Sequence, residues 1–370
     1  MKILVTGGAG FIGSHLVDRL VAEKNEVTVL DNLDSQVHLG KKPDYLNAKA
    51  KYVFKDVRDD KALLPLLKDA EIVFHQAAAV GVGQSMYEIA RYMDVNAMGT
   101  AKLLDLLVNN ENAVKKLIVA SSMSIYGEGT YECANCGKVY PELRSEAQMK
   151  TRYWEMKCPS CGSRAKPIPT KEDKPLRPTS VYAVSKRDQE ELCLSVGRAY
   201  GIPTVALRYF NVFGPRQSLS NPYTGVAAIF SSRIKNNHPP VIFEDGLQSR
   251  DFIYVDDVAR ANVFVMKSKA ANYKALNVGT GRPVSIVNIA TTLSKLYGRK
   301  IEPKIANKFR SGDIRHCFAD VSELKKLGFE AKTSFEDGMK KLVDWGEKAE
   351  AIDRVDEATK ELVNRGLVEK

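Results

Sequence analysis

The stretch Thr6-Gly-Gly-Ala-Gly-Phe-Ile-Gly13 constrains this chain more than any other part of it. It follows Lys2–Thr6, a short β-branched run of the kind that fills a buried parallel strand, and a helix-like segment, Gly13–Glu23, comes directly after it. Small residues at positions 7, 10 and 13 let the backbone approach a pyrophosphate, and the start of the helix supplies free N–H groups and the positive end of a dipole. A glycine triplet alone is weak evidence, because any tight turn uses glycine. Here Asp31 closes the next apolar run, Glu26–Asp31, where a carboxylate can accept from both hydroxyls of a ribose. The acid favours NAD over NADP, since it repels a 2′-phosphate. Asp56-Val57, after the third run, is a candidate adenine contact, although such a pair on its own more often caps a loop.

The runs Lys51–Lys55, Glu71–Gln76, Lys116–Ser121 and Thr204–Tyr209 continue the alternation of strand-like and helix-like sequence. This predicts an α/β fold, a Rossmann doubly wound parallel sheet with helices on both faces and ligands at the carboxyl ends of its strands. Beyond about Gly214 the chain becomes punctuated by proline and glycine, with short strands expected at Val241–Phe243 and Ala275–Val278, as suits a smaller α/β substrate-binding domain. The expected division is a dinucleotide domain over 1–127 and 169–215 with later crossover segments at about 245–285, an insertion over 128–168, and a second domain over 216–345. A charged amphipathic helix follows over 346–370, with Ile352, Val355, Ala358 and Leu362 on its apolar face for packing or dimerisation.

With 370 residues, 44% of them hydrophobic and 27% charged, the chain is neither disordered nor fibrous and has room for two or three domains. No apolar run approaches the roughly 18 residues of a membrane helix. The N-terminal apolar stretch is broken by glycines and then by His15, Asp18 and Arg19, so it lacks secretory character and the expected compartment is the cytoplasm. The surplus of +10 suits phosphate-bearing ligands, but it is spread along the chain without the dense basic run of a nucleic-acid arm. Neither nucleic acid nor membrane is an expected partner.

A second motif, Tyr182-Ala-Val-Ser-Lys186, opens a helix after Pro178-Thr-Ser. A spacing of four puts Tyr182 and Lys186 on one helical face, where the ammonium can lower the phenol pKa and also reach a ribose hydroxyl. Tyr/Lys pairs at this spacing are mostly solvated helix faces. What gives this one weight is Ser121-Ser122-Met-Ser124-Ile-Tyr126-Gly127, whose hydroxyls are expected to project into the same cleft.

Taken together, the sequence resembles the extended short-chain dehydrogenase/reductase family, specifically its nucleotide-sugar epimerases and dehydratases. TGGAGFIG, Asp31-Asn32, HQAAAV at 75–80, DVNAMGT at 94–100, SSMSIYG, YAVSK, RYFNVFGPRQ at 208–217, RDFIYVDDV at 250–258 and NVGTG at 277–281 match in order, over nearly the whole chain. The resemblance implies Tyr182 as catalytic base, Lys186 as the group that tunes it and holds NAD, and Ser122 as the hydrogen-bond donor to the sugar oxygen being oxidised. It implies a cofactor groove of Gly7, Gly10, Phe11, Ile12, Gly13, Asp31, Asn32, Asp56, Val57, Ala77, Ala78, Ala79, Asn96 and Ser121, with Tyr209 and Phe210 lining the nicotinamide. For a nucleotide-diphosphate sugar it implies Ser122, Ser124, Asn211, Phe243, Arg250, Arg310 and Asp313, the arginines matching phosphate oxygens with their guanidinium forks. A homodimer is implied as well, through helices at Tyr92–Val108 and Tyr182–Tyr200.

Family dehydratases and decarboxylases commonly carry an acidic residue directly after the catalytic hydroxyl. Here those positions are Met123 and Ser124, which disfavours removal of water. The 3,5-epimerising branch uses a cysteine near this point, also absent. The implied activity is 4-epimerisation by transient oxidation at carbon 4. The stretch Val80–Met86 and the cysteine-bearing insertion are similar to sequences acting on dTDP-L-rhamnose, with UDP-glucuronate and UDP-glucose 4-epimerases close behind. A 4,6-dehydratase or decarboxylase, a non-catalytic NAD-binding protein and a nucleic-acid-binding zinc protein are the remaining alternatives.

Cys133-Ala-Asn-Cys136-Gly and Cys158-Pro-Ser-Cys161-Gly are two CxxCG knuckles separated by 21 residues. Each turns two thiolates toward one point, which suits a closed tetrahedral zinc site of structural type, an inserted zinc ribbon. Cys193 and Cys317 lack such partners and read as ordinary buried thiols. The insertion lies between Tyr126 and Tyr182, 55 residues where related epimerases have a much shorter connection.

Overall fold

A computed structural model describes residues 1–369. Seven parallel strands form the large sheet, in the spatial order Lys274–Val278, Thr204–Tyr209, Lys116–Ser122, Ile72–His75, Lys2–Thr6, Glu26–Leu30, Lys51–Val53. The order reverses beside Lys2–Thr6, so the crevice for a ligand opens at the carboxyl end of that strand. Apolar runs become strands here because both faces are covered. Helices Phe11–Ala22 and Val255–Lys267 lie over one face, with Leu16, Val17, Val258 and Val265 against Val5, Val29 and Leu207. Helices Asp60–Asp69, Gly99–Asn109 and Val181–Ala199 cover the other, with Leu63, Leu103 and Leu194 against Leu4, Val73 and Val119.

The strand expected at Ala275–Val278 belongs to the large sheet and not to a second one. It runs over Lys274–Val278 as an edge strand beside Thr204–Tyr209, which gives Leu276 and Val278 a buried face. The later segments build a separate mixed sheet. Asn211–Phe213 and His316–Cys317 pair in parallel with Ser249–Tyr254, and Pro283–Ser285 pairs antiparallel to it. This sheet and helices Val226–Lys235, Ile286–Leu296 and Phe335–Gly346 enclose their own core of Phe213, Phe230, Phe252, Leu293 and Met339. A final helix, Val355–Asn364, buries Ala358 and Leu362.

The insertion holds a three-stranded antiparallel sheet, Gly137–Val139, Thr130–Cys133 and Lys166–Ile168, with the first cysteine knuckle at the turn between Thr130–Cys133 and Gly137–Val139. Its small core is Tyr131, Cys133, Val139, Met156, Cys158 and Ala165. None of the helices among the described residues is long and apolar enough to cross a membrane.

Candidate active site

The glycine loop is required by its surroundings. Gly7 adopts φ +70°, and a Cβ there would stand 2.7 Å from the Ala77 nitrogen; at Gly13 it would stand 2.1 Å from the Gly7 carbonyl oxygen. Gly10, which caps helix Phe11–Ala22, is different. A Cβ there would meet only the Gly7 oxygen at 3.4 Å, an ordinary contact, so packing leaves open space in front of this helix start. That is the space a pyrophosphate needs at a helix N-terminus. Asp31 is buried, and its two oxygens accept one backbone N–H each, from Ala9 and Leu33, both at 2.9 Å. Lone pairs remain for ribose hydroxyls, so the residues present fit an NAD.

Other expected cofactor residues are supports. Asn32 donates to Asp56 at 2.9 Å, and Arg58 grips the same carboxylate with two bonds of 2.8 Å, holding its pKa down to about 2. Val57 is buried, close against Gly99. Asn96 does not face a groove. It is fully buried in a widened helical turn, Met93–Met98, where it accepts from the Ala79 N–H at 2.7 Å and donates to the Ala79 carbonyl and to Ser185. Its role is to shape the Ala77–Ala79 segment.

Tyr182 and Lys186 lie in the first turns of helix Val181–Ala199, which Ser180 caps by accepting from the Ala183 N–H at 3.1 Å. The Tyr182 N–H donates to Ser85 at 3.0 Å, and the Tyr92 ring meets the Tyr182 ring edge-on at 6.4 Å. Burial raises the phenol pKa, and a hydrogen bond with Ser122 opposes the rise. Ser124 donates to the Ser122 hydroxyl at 2.9 Å, so both hydroxyls stand beside the phenol. Lys186 lies one helical turn beyond Tyr182. Its ammonium donates to Gln189 at 2.6 Å, and burial pushes its pKa down to about 7.

Ser121 corrects the sequence reading. Its hydroxyl donates to Glu190 at 2.6 Å, two turns beyond Tyr182 on the same helix, where Glu190 pairs with Arg208 at 2.6 Å and Arg208 reaches Tyr126 at 2.8 Å. The Ser121 hydroxyl is thus spent on a buried network, and Ser122, at the end of the strand, is the serine that stands by Tyr182. The side chains of Tyr209 and Phe210 are also inside the protein. The Tyr209 hydroxyl bonds Gln76 at 3.1 Å and Asn262 at 3.0 Å, and Phe210 packs with Met123, Tyr126, Cys317 and Ala319.

One buried network went unread in the sequence. Lys186 leads through Gln189 to Thr100 at 2.8 Å, and Thr100 to His75 Nε2 at 2.8 Å, while His75 Nδ1 meets Thr6 at 2.8 Å. The signals were the position of Gln189, one helical turn after Lys186, and of His75 at a strand end beside the glycine loop. Burial pushes the His75 pKa down to about 3 and keeps the ring neutral. The unfolded chain takes up that proton below about 6.5. The His75 contribution is therefore complete above pH 6.5 and is lost as the pH falls toward 3, costing about 2 kcal/mol between pH 7 and pH 5. Urea midpoints at the two pH values should differ more in the wild type than in His75→Gln; equal pH dependence in both would refute the assignment.

Among the expected substrate residues, Phe243, Arg310 and Asp313 come together. The Arg310 guanidinium lies 4.6 Å over the Phe243 ring and donates to Asp313 at 2.8 Å. Thr179, just before the catalytic helix, donates to the Gly312 carbonyl at 3.3 Å, which ties this loop to Tyr182's own segment. The Asn211 side-chain oxygen is buried without a hydrogen-bond partner, a costly state that a ligand would relieve. Arg250 is more occupied than expected, donating to the carbonyls of Ser249, Ile314 and Arg315 at 2.7–2.9 Å. The four knuckle cysteines bring their sulfurs within 4.8 Å of one another, with Gly137 and Gly162 at φ +70° and +74° making the turns behind them. Cys193 and Cys317 are buried, as expected.

A glycine loop facing open space, a ribose-ready carboxylate and a half-buried tyrosine beside two serines define an NAD-dependent enzyme of the epimerase class. Residues 3–279 match the NAD dependent epimerase/dehydratase family, and the chain belongs to it. A dTDP-L-rhamnose 4-epimerase of Burkholderia thailandensis is 38% identical over 361 residues, 95% of this chain and 96% of that protein. The solved UDP-glucose 4-epimerase of Thermotoga maritima, with UDP-glucose, superposes with a TM-score of 0.77 at 33% identity, covering 94% of this chain and 99% of that one. A UDP-glucuronic acid 4-epimerase of Bacillus cereus, with UDP-glucuronic acid and NAD, gives 0.76 at 28% identity, with 94% and 99% covered.

Proposed function

We propose that this chain inverts carbon 4 of a nucleotide sugar, with dTDP-L-rhamnose the first candidate substrate. The observation that carries the reading is the surroundings of the catalytic hydroxyl. Ser122 and Ser124 stand beside Tyr182, Met123 packs into the protein, and no carboxyl occupies either position after Ser122. Such a site can move one proton to and from a sugar hydroxyl, but it lacks the acid that removal of water would use there.

NAD, when bound, supplies a two-electron acceptor that gives back what it takes. Tyr182 takes the proton of the 4-hydroxyl and later returns it, while Ser122 and Ser124 hydrogen-bond the oxygen in both states. Lys186 and Asp31 hold the cofactor's riboses. Phe243, Arg250, Arg310, Asp313 and the unpartnered Asn211 oxygen hold the base, ribose and diphosphate. Anchoring the substrate by its nucleotide leaves the sugar itself held by few groups, so it can turn over between removal and return of hydrogen.

The dTDP-L-rhamnose assignment is supported by the name of the 38%-identical relative and by the cysteine-bearing insertion. UDP-glucuronate or UDP-glucose is the alternative, supported by the solved neighbours that bind those sugars. A structural zinc belongs to the same reading. Four thiolates this close form a closed set with no open position for catalysis. So does assembly as a homodimer through helices Gly99–Asn109 and Val181–Ala199, beside which Met98 is exposed and on which Val184 is exposed. Incubation with dTDP-, UDP- and GDP-sugars, followed by product identification, tests the function: a 4-epimer from at least one is expected, and a 4-keto-6-deoxy or pentose product would replace this reading with dehydration or decarboxylation.

A further inference from the structure

The cysteine-bearing insertion is locked into the protein by buried charge. Arg144, inside it, forks onto Glu244 with two bonds of 2.8 Å and donates to the Asp313 carbonyl at 3.1 Å. Arg315 answers from the other side, reaching Glu155 of the insertion at 2.6 Å, Glu244 at 3.0 Å and Asp245 at 2.7 Å. Glu128, at the root of the insertion, accepts from the backbone N–H groups of Arg315 and His316 at 2.7 and 2.8 Å. Met149 and Trp154 of the insertion pack on Phe309.

Each of these anchors adjoins a residue assigned to the nucleotide. Glu244 follows Phe243, the backbone carbonyl held by Arg144 belongs to Asp313, whose side chain holds Arg310, and Phe309 precedes Arg310. The Arg144 and Arg315 side chains are 1% and 0% exposed, so neither can touch a ligand. Both act through their neighbours. No hydrogen bond joins this cluster to Tyr182, Lys186, Ser122 or the glycine loop among the described residues.

We propose that the insertion is the back wall of the nucleotide site, and that Arg144 and Glu155 are positioning residues that set Phe243, Arg310 and Asp313 to grip the nucleoside diphosphate. The proposal rests on the nucleotide-sugar reading of that loop. Removing one partner of a buried pair leaves the other charge uncompensated, and the segment carrying it must shift to find water or a new partner. Here the segments that would shift are 243–245 and 310–316, which are tied to the segment before the catalytic helix by the 3.3 Å bond from Thr179 to the Gly312 carbonyl, whereas the NAD loop is held by other contacts.

The test compares full-length wild type with Arg144→Met, Arg144→Lys and Glu155→Gln. Calorimetry measures UDP and dTDP binding, kinetics measure KM and kcat on an epimerised sugar, and absorbance and melting measure retained NAD and fold. Nucleotide affinity should weaken and KM should rise by about tenfold or more in Arg144→Met and Glu155→Gln. Arg144→Lys, which keeps the charge but loses the fork, should fall between them and the wild type. NAD content and kcat should stay near wild type. If Arg144→Met does not fold, Glu155→Gln, whose side chain is 19% exposed, carries the test. Folded variants with unchanged nucleotide affinity, or equal loss of NAD and nucleotide, would overturn the proposal. A wild type that binds neither nucleotide would instead remove the site reading on which it rests.

Discussion

Tyr182→Phe should lower kcat by about 10²–10⁴-fold, the range in which a positioned general acid–base contributes, with bound NAD and melting temperature close to wild type. The substitution removes one oxygen and leaves the ring where it packs edge-on against Tyr92. Ser122 keeps Ser124 as a hydrogen-bond partner at 2.9 Å. The serine hydroxyls are not bases near neutral pH, and the Lys186 nitrogen is engaged with Gln189 at 2.6 Å. A variant retaining more than a tenth of wild-type kcat would show that the proton at carbon 4 leaves by another route.

The second large effect concerns the knuckles. The wild type should hold zinc that a Cys133→Ser/Cys136→Ser variant lacks, a loss worth on the order of 10 kcal/mol of binding free energy by analogy with small zinc domains. The core of the ribbon is six residues, two of them knuckle cysteines, too few to order three short strands unaided. Hydrogen exchange over 128–168 should therefore rise sharply, and activity and assembly should change with it. Metal analysis finding no zinc in the wild type, or a variant with unchanged exchange, activity and assembly, would contradict the account.

The large sheet was legible because its strands are buried on both faces and read as continuous apolar runs, as in Ile72–His75 and Thr204–Tyr209. The glycine loop and Asp31 were legible because their spacing is a local matter. Ser121 misled because adjacent hydroxyls look alike in a sequence, while one stands by Tyr182 and the other is spent on Glu190, two turns further along the same helix. Asn96, Tyr209 and Phe210 misled for a related reason: a motif marks a place near the cofactor without saying whether its side chain faces the groove or supports it. The pairing of Arg144 with Glu244 could not be read at all. It joins residues 100 positions apart, and nothing in either local sequence names the other.

The most direct test of the central claim is epimerisation in D₂O of the nucleotide sugar that the protein turns over, with the product's carbon-bound hydrogens assigned by NMR and counted by mass spectrometry. One site that removes and returns the same hydrogen, with Tyr182 handling only the hydroxyl proton, predicts a 4-epimer carrying no solvent deuterium on any ring carbon. Deuterium at carbon 4, or at a neighbouring carbon together with loss of water, would contradict it.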